Sequence, residues 1–243
     1  MKSAFYAGAT GLVAYQEALN TIGNNLANVN TNGFQSQSVS FQSLLNSDLY
    51  ANTEKVARAG NGVRVVQSGI SDSPVTYLQT GEGLDFAIEG EGWFAVEKNG
   101  QVQYTRDGNF SLGLEGRGTS LVTQDGGYVL DARGARITVT GDAKTGAYDY
   151  AAIREKLGVF RFQNAAGLTP ASANRYLAGA NTGAATAVTG DAANVLSGML
   201  ERSSVSLVDE MARLIEVQRA YQISARVVQA ADENEQTVNN LRR

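Results

Sequence analysis

The stretch that decides how this chain is built stands at residues 24–34 and runs Asn24-Asn25-Leu26-Ala27-Asn28-Val29-Asn30-Thr31-Asn32-Gly33-Phe34. Asparagine and glycine tolerate the left-handed backbone conformation that ends helices, and asparagine side chains can satisfy the free carbonyls and amides there. We therefore predict that a helix stops in this segment and that Phe34 anchors the outgoing chain. A helix cap alone explains each residue, but five asparagines around a fixed apolar frame are more than a cap requires.

Upstream of this segment the first thirty residues carry a helical pattern. Apolar or small residues recur at alternating steps of three and four, at Phe5, Gly8, Leu12, Tyr15, Leu19, Ile22, Leu26 and Val29. This heptad spacing keeps one stripe of a helix facing a partner helix. The alanines beside the stripe, at 4, 7, 14 and 18, would allow close approach. An amphipathic helix packed on its own domain is an equally good explanation of the spacing.

The last forty residues form a second helical pattern. The recurring residues are Leu207, Met211, Leu214, Tyr221, Ala225, Val228 and Val238, with polar breaks at Gln218 and Asp232. Residues 204–241 contain no Gly and no Pro, and Ser203 or Ser204 is expected to cap the helix start. A helix of about 37 residues would be about 55 Å long, which favours a partner helix.

Between the helical ends, short β-type runs alternate with turn signals. Runs such as 84–89, 93–97, 102–105, 121–123 and 158–162 are separated by turns such as Asn99-Gly100, whose residues supply the positive φ of tight hairpins. The sequence thus predicts an α+β fold with five segments. These are an N-terminal helix at 1–30, an extended linker or bridging segment at 31–80, an antiparallel β domain at 81–178, a linker at 179–200 and a C-terminal helix at 201–243.

Composition excludes several kinds of chemistry. The chain has no Cys and no His, so zinc sites built from them, thiol catalysis, disulfides and His-based triads are absent. A net charge of −4 gives little electrostatic support to nucleic-acid binding. No apolar run approaches the roughly 20 residues of a membrane span, and we expect no cleavable signal peptide.

The asparagine-rich segment resembles the signature of the flagellar rod, hook and hook-associated axial proteins. The matching positions are Asn24, Asn25, Ala27, Asn28, Thr31, Gly33 and Phe34, whereas Gln35 departs from the basic residue that usually follows. Similar matches follow in order at 81–94, 104–110, 121–130 and 208–221. The resemblance therefore covers nearly the whole chain, and one compact β domain is most similar to the rod proteins of the family, in particular the distal one. A proximal rod protein or a hook-type axial subunit is the alternative within the family.

The resemblance implies a structural subunit of the bacterial flagellar rod, with no catalytic, cofactor or metal site. It implies terminal helices that pair as a coiled coil, helical polymerisation, and a drive shaft that transmits torque. Expected partners are copies of the chain, other rod and hook proteins and the flagellar export apparatus, at the basal body in the cell envelope. The assembly seams are expected at Phe5, Leu12, Tyr15, Leu19, Ile22, Leu26, Leu207, Met211, Leu214, Tyr221 and Val228.

Two other classes of protein share parts of this pattern. Asp85, Glu89 and Glu91 suggest paired carboxylates of a cell-wall hydrolase, but carboxylates at alternating strand positions more often form a solvated face. A surface adhesin or a phage-tail-like β protein would share the β pattern. The terminal seams and the asparagine-rich segment count against that class.

Overall fold

The computed structural model describes residues 2–44, 47–48, 58–70, 74–115, 118–139, 141–142, 147–172, 174–188 and 193–241. The helices are α1 (Lys2–Ala27), α2 (Tyr150–Lys156) and α3 (Leu207–Leu241), and a 3-10 helix spans Ala165–Gly167. The strands in chain order are β1 (Gln37–Ser43), β2 (Ser47–Asp48), β3 (Arg58–Ala59), β4 (Val63–Ile70), β5 (Tyr77–Gln79), β6 (Phe86–Ile88), β7 (Trp93–Lys98), β8 (Gln101–Thr105), β9 (Phe110–Glu115), β10 (Gly118–Thr123), β11 (Tyr128–Val129), β12 (Thr138–Val139), β13 (Gly141–Asp142), β14 (Ala147–Tyr148), β15 (Val159–Arg161), β16 (Thr169–Ser172), β17 (Arg175–Leu177), β18 (Thr186–Val188), β19 (Val195–Ser197) and β20 (Met199–Glu201).

These elements form two compact units. The helical unit comprises residues 1–27, 37–68 and 206–243, and the β unit comprises residues 28–36 and 69–205. The helical unit draws on both ends of the chain, because the polypeptide passes from one unit to the other four times. The predicted α+β class, with terminal helices that pack together and a mostly antiparallel β domain, is confirmed.

In the helical unit, α1 packs against α3, β1 pairs with β4, and β2 pairs with β3. The predicted helix stop is confirmed, because α1 ends at Ala27 and turns follow. The expected caps Ser203 and Ser204 are wrong: α3 begins at Leu207, and the Ser206 hydroxyl accepts from Asp209 N at 3.4 Å. Ser204 instead accepts a hydrogen bond from Ser36 N at 2.8 Å, within the β unit.

The β unit is built on a ten-stranded sheet. Its main path runs β12-β10-β11-β7-β8-β17-β16, with β15, β18 and β9 paired beside it, and these pairs are antiparallel. The β7–β8 hairpin turns at Asn99 and Gly100, with φ of 52° and 75°, as the sequence predicts. The main core is apolar, and its largest fully buried members include Phe86, Ile88, Phe94, Leu121 and Val129.

The two segments expected as linkers are partly paired. The 31–80 segment contains β1 to β5, in which β1 alternates polar residues with Val39 and Phe41. The 179–200 segment contains β18 and β19 and begins β20. The domain boundaries themselves stay a prediction. Within the described residues, no helix is long and apolar enough to cross a membrane.

Candidate assembly surfaces

The two terminal helices meet along a stripe of small residues on α1. Its buried positions are Gly8, Gly11, Ala14, Ala18, Ile22 and Asn25, again at steps of three and four. A Cβ added at Gly8 would lie 2.8 Å from Val228 Cγ2, and one at Gly11 would lie 3.1 Å from Ser224 Oγ. The absence of side chains at these two glycines therefore lets α1 lie close to α3.

The structure places the predicted seam residues at three levels of exposure. Ile22 is buried, whereas Leu12, Tyr15, Leu19, Leu26, Leu214, Tyr221 and Val228 are half-buried, and Phe5, Leu207 and Met211 are exposed. The Tyr15 ring packs on Phe41 of β1, with 5.4 Å between ring centroids. Most of the predicted seam thus keeps accessible surface within one chain, and its role in assembly stays a proposal.

Asn25 joins three elements of the helical unit. Its side chain is 1% exposed. Nδ2 donates to Gln37 O at 2.8 Å, and Oδ1 accepts from Gln37 N at 3.0 Å. The side-chain amide of Asn25 therefore hydrogen-bonds to both main-chain groups of Gln37 in β1. Nδ2 also donates to Glu210 Oε1 of α3 at 3.3 Å. The neighbouring motif residues Asn24 and Ala27 are exposed. Asn25 therefore has a structural role that a simple helix cap does not explain.

The rest of the motif belongs to the β unit. Thr31 Oγ1 donates to Asn28 Oδ1 at 3.1 Å, which closes the turn after α1. Gly33 has φ of 65° and donates to Glu201 O at 2.8 Å. A Cβ at Gly33 would lie 2.3 Å from Asp107 N, so only glycine fits here. Phe34 is buried, as the sequence predicts for an anchor.

A buried polar cluster lies next to this anchor, and sequence reasoning missed it. The Glu201 side chain, 1% exposed, accepts from Gln35 Nε2 at 2.6 Å and lies 3.2 Å from Arg106 Nη1. Burial raises the pKa of Glu201 to about 7, although Arg106 and Gln35 both act to lower it. Gln35 N also donates to the Tyr176 hydroxyl at 3.3 Å. Gln35, the departure from the family pattern, is therefore a partner of this carboxylate.

Several large apolar side chains on both long helices remain exposed in the single chain. On α1 these are Phe5, Tyr6 and Val13, and on α3 they include Val208, Ile215 and Ile223, with Val208 77% exposed and Ile223 61% exposed. Apolar side chains arranged along an exposed helix are typical of surfaces that associate with another protein. The two helices thus retain apolar surface after they have packed on each other.

No group of three or more acidic residues among the described positions could hold a metal ion. Of the three carboxylates considered as candidates for a hydrolase site, Glu89 and Glu91 are exposed. Asp85 is buried, so the expectation of a solvated face is wrong for it. The main chain of Asp85 forms an isolated antiparallel β-bridge with Asn109, and the Asp85 main-chain carbonyl accepts from Gly198 N at 2.8 Å. It is part of the packing of the β unit.

Three family models match the chain in order. One described as Flagella basal body rod protein matches residues 5–35, and one described as Flagellar hook protein FlgE/F/G D1 domain matches residues 87–148. The third, Flagellar basal body rod FlgEFG protein C-terminal, matches residues 196–241. The first spans most of α1 and the asparagine-rich segment, and the third spans β20 and α3.

Curated relatives match over nearly their whole length. A flagellar basal-body rod protein FlgG from Bacillus subtilis is 32% identical over 268 residues, covering 100% of both chains. A flagellar basal-body rod protein FlgF from Caulobacter vibrioides is 35% identical, covering 94% of this chain and 93% of its own. A FlgG from Agrobacterium fabrum is 34% identical, covering 93% and 94%.

Proposed function

Since the chain belongs to the family of flagellar basal-body rod proteins, we propose that it polymerises with copies of itself into the rod of the bacterial flagellum. It is a structural subunit of that rod. Relatives at 30–35% identity are named either FlgG or FlgF, so their names do not distinguish a distal from a proximal subunit. We propose that its function rests on packing and hydrogen bonding and involves no catalytic step.

One observation carries the proposal of polymerisation. The long helices α1 and α3 pack on each other through a small-residue stripe and still expose large apolar residues such as Val13, Val208 and Ile223. Burial of one such side chain stabilises an interface by roughly 1.5–3 kcal/mol. A second copy of the chain that covers these residues would supply the association energy. The exposed part of the predicted seam, including Phe5 and Met211, would lie in the same interface.

We further propose that the two units have different roles in the rod. The helices would line the inner tube of the rod, and the β unit would face outward. Part of the 31–80 segment would bridge neighbouring subunits, a role supported by exposed Phe41 of β1 and Val66 of β4. Such bridges would stiffen a shaft that transmits torque.

Family membership also supports the wider set of partners and the location. The proposed partners are other rod and hook proteins and the flagellar export apparatus, and the proposed place is the basal body within the cell envelope. The printed names of the relatives, flagellar basal-body rod proteins, support this location.

The test is an in-frame deletion of the gene, with motility assays and electron microscopy of isolated basal bodies. Basal bodies that stop within the rod, without hook or filament, would support the proposal, and the plasmid-borne wild-type chain should restore full length. The height at which the rod stops distinguishes a distal from a proximal subunit. Complete, rotating flagella in the deletion strain would overturn the proposal.

A further inference from the structure

The two long helices of the helical unit end at different levels. They run antiparallel, since Gly8 of α1 lies opposite Val228 of α3 and Gly11 lies opposite Ser224. From the level of Gly8, α1 extends six residues to its start, whereas α3 continues for thirteen residues beyond Val228. The end of α3 therefore extends past the described residues of α1 by about seven residues, or about two turns. We call these residues, 235–241, the α3 overhang.

The α3 overhang carries an apolar face. All of its residues are exposed. Val238 and Leu241 are large and apolar, with 47% and 82% of their surface exposed. They are three residues apart, so they share one face of the helix. Two turns of helix without tertiary packing are only marginally stable in water, because packing supplies most of the stability of a helix. The overhang thus lacks the packing that the rest of α3 obtains from α1.

The same unit contains an open groove of about 420 Å³ between α1, β1 and the N-terminal half of α3. Its apolar walls include Ala18 and Ile22 of α1, Phe41 of β1, and Val217 and Ala220 of α3. The Phe41 side chain is 43% exposed. Since protein interiors contain few voids larger than a water molecule, this groove is a surface that the single chain does not fill.

The overhang cannot reach the groove of its own chain. Ala220 in the groove and Val238 in the overhang lie on one continuous helix. They are separated by about 27 Å at a rise of about 1.5 Å per residue. A contact between overhang and groove therefore joins two copies head to tail. Such a heterologous contact leaves one free overhang and one free groove at the two ends, so it can propagate into an open polymer.

The charged residues beside the two surfaces are complementary. The groove is lined by Arg213, whose side chain is 59% exposed, and by exposed Glu216. Glu210 also lines it but is buried, and its Oε1 accepts from Arg213 Nη1. The overhang begins with exposed Glu235, and two arginines, at 242–243, follow it in the sequence. Exposed ion pairs contribute little energy, but opposite charges orient two partners.

We propose that the α3 overhang of one copy docks in the groove of a second copy, with Val238 and Leu241 against Phe41 and Ala220. Glu235 then lies beside Arg213 of the second copy. This contact rests on the proposed polymerisation and specifies one of its interfaces. The second copy supplies the overhang with the tertiary packing that it lacks in the single chain.

Disulfide cross-linking tests this contact, because the chain has no cysteine of its own. The double variant Ala220→Cys/Val238→Cys is expressed in the deletion strain, and isolated basal bodies are oxidised and run on a non-reducing gel. A disulfide needs Cα atoms within about 7 Å, so any bond between these positions joins two copies. We expect a ladder of dimers, trimers and larger species. The control Ala220→Cys/Gln236→Cys, with its second cysteine on the opposite face of the overhang, should cross-link roughly tenfold less.

The outcomes separate this contact from polymerisation itself. A double variant that restores rods and motility but stays monomeric, stops at dimers or cross-links no more than the Gln236 control contradicts the docking and leaves polymerisation intact. Complete flagella in the deletion strain contradict the proposed function instead. If the double variant builds no rods, Leu241→Asp decides, because it should melt like wild type and fail to restore rods, whereas Asn240→Asp should restore them. Rods of normal length with Leu241→Asp would overturn the docking.

Discussion

Asn25 of α1 and Glu210 of α3 share a buried hydrogen bond, from Asn25 Nδ2 to Glu210 Oε1 at 3.3 Å. The two residues are 185 positions apart in the chain, and both are at most 4% exposed. Glu210 Oε1 also accepts from Arg213 Nη1 at 3.3 Å, whereas Glu210 Oε2 has no partner among the described residues. The amide of Asn25 is therefore the neutral donor that allows an acidic residue in the first turn of α3 to be buried.

Asn25→Asp should destabilise the helical unit by about 3 kcal/mol at pH 7.5, because it removes a buried donor and places a second carboxylate beside Glu210. The loss should shrink as the pH falls, since protonation of the introduced carboxyl relieves the repulsion. Urea unfolding followed by circular dichroism at 222 nm measures it. Asn30→Asp makes the same charge change at an exposed position and should cost less than about 0.5 kcal/mol. Equal losses in the two variants would contradict this role of Asn25.

Gly33→Ala should destabilise the β unit by about 2–4 kcal/mol. The added Cβ would lie 2.3 Å from Asp107 N, and the φ of 65° is itself unfavourable for alanine. Gly126→Ala is the matched control, because Gly126 has φ of 81° but no atom within 4 Å of an added Cβ. It should cost only about 1 kcal/mol. Fluorescence of Trp93, the single tryptophan, reports unfolding of this unit. A loss at Gly33 no larger than at Gly126 would show that the close approach to Asp107 is unimportant.

Gly8→Leu should weaken the contact between α1 and α3. A Cβ at Gly8 already lies 2.8 Å from Val228 Cγ2, and the branched Val228 side chain has little freedom to move away. We expect a loss of about 1–3 kcal/mol in the stability of the helical unit. Gly23→Ala, at an exposed position with nothing within 4 Å, should instead stabilise α1 by up to about 1 kcal/mol. Opposite signs in circular dichroism melts are the expected result, and a stabilising Gly8→Leu would contradict the geometry.

The buried carboxylate of Glu201 should make the β unit less stable as the pH rises. The pKa of Glu201 is about 7 in the folded chain and near 4.5 in the absence of burial, so the folded state binds more protons between these two values. Stability depends on pH through the difference in bound protons between the unfolded and folded states. The contribution of Glu201 is fully present below about pH 4.5 and is lost as the pH passes through about 7.

Urea unfolding at pH 5, 6, 7 and 8, followed by Trp93 fluorescence, checks this dependence. Glu201→Gln should flatten the fall in stability between pH 5 and 8, because the amide does not titrate and can still accept from Gln35. Glu155→Gln, an exposed position on α2, should leave the slope unchanged. Burial also raises the pKa of Asp107, which adds a slope of the same sign that both variants retain. A wild-type slope that survives unaltered in Glu201→Gln would contradict the prediction.

Local patterns predicted most elements of the fold because each is specified by nearby residues. The asparagine-rich segment predicted the end of α1, and Asn99-Gly100 predicted the turn between β7 and β8. The start of α3 was predicted wrongly, because several serines precede the helix and each could cap it. The tertiary structure shows that α3 begins at Leu207 and that the Ser204 hydroxyl accepts a hydrogen bond from Ser36 N. Local sequence patterns therefore predict the positions of helices and turns better than they predict the hydrogen-bond partners of individual polar residues.

The buried polar contacts were not predictable from spacing. Gln35, Arg106 and Glu201 are far apart in sequence and meet only when the strands of the β unit pair. A polar residue within an otherwise apolar pattern, such as Asn25 on the inner face of α1, is the signal that could have suggested one such contact. Similarly, the heptad pattern identified the helix pair but emphasised large residues, whereas glycine and alanine form the most buried stripe of α1.

The exposed face of α3 provides a direct test of polymerisation. Ile223→Asp replaces a side chain that is 61% exposed, so the folded monomer should lose less than about 0.5 kcal/mol. In a rod, however, burying an unpaired carboxylate within an apolar interface should block assembly. We expect a folded chain that fails to restore motility or rod length in the deletion strain. Leu19→Asp should also block assembly and leave the β unit folded, while Ile22→Asp, at a buried position, should in addition disrupt the helical unit.

The matched control for Ile223→Asp is Glu233→Asp, which stands on the same helix, is exposed and keeps its charge. It should restore rods of normal length. Circular dichroism of the purified variants separates a folding defect from an assembly defect, because only the second leaves the melting curve unchanged. Normal motility with Ile223→Asp would show that this face of α3 stays in contact with water in the rod. The helix contacts between copies would then have to involve other exposed residues, such as Val13 of α1.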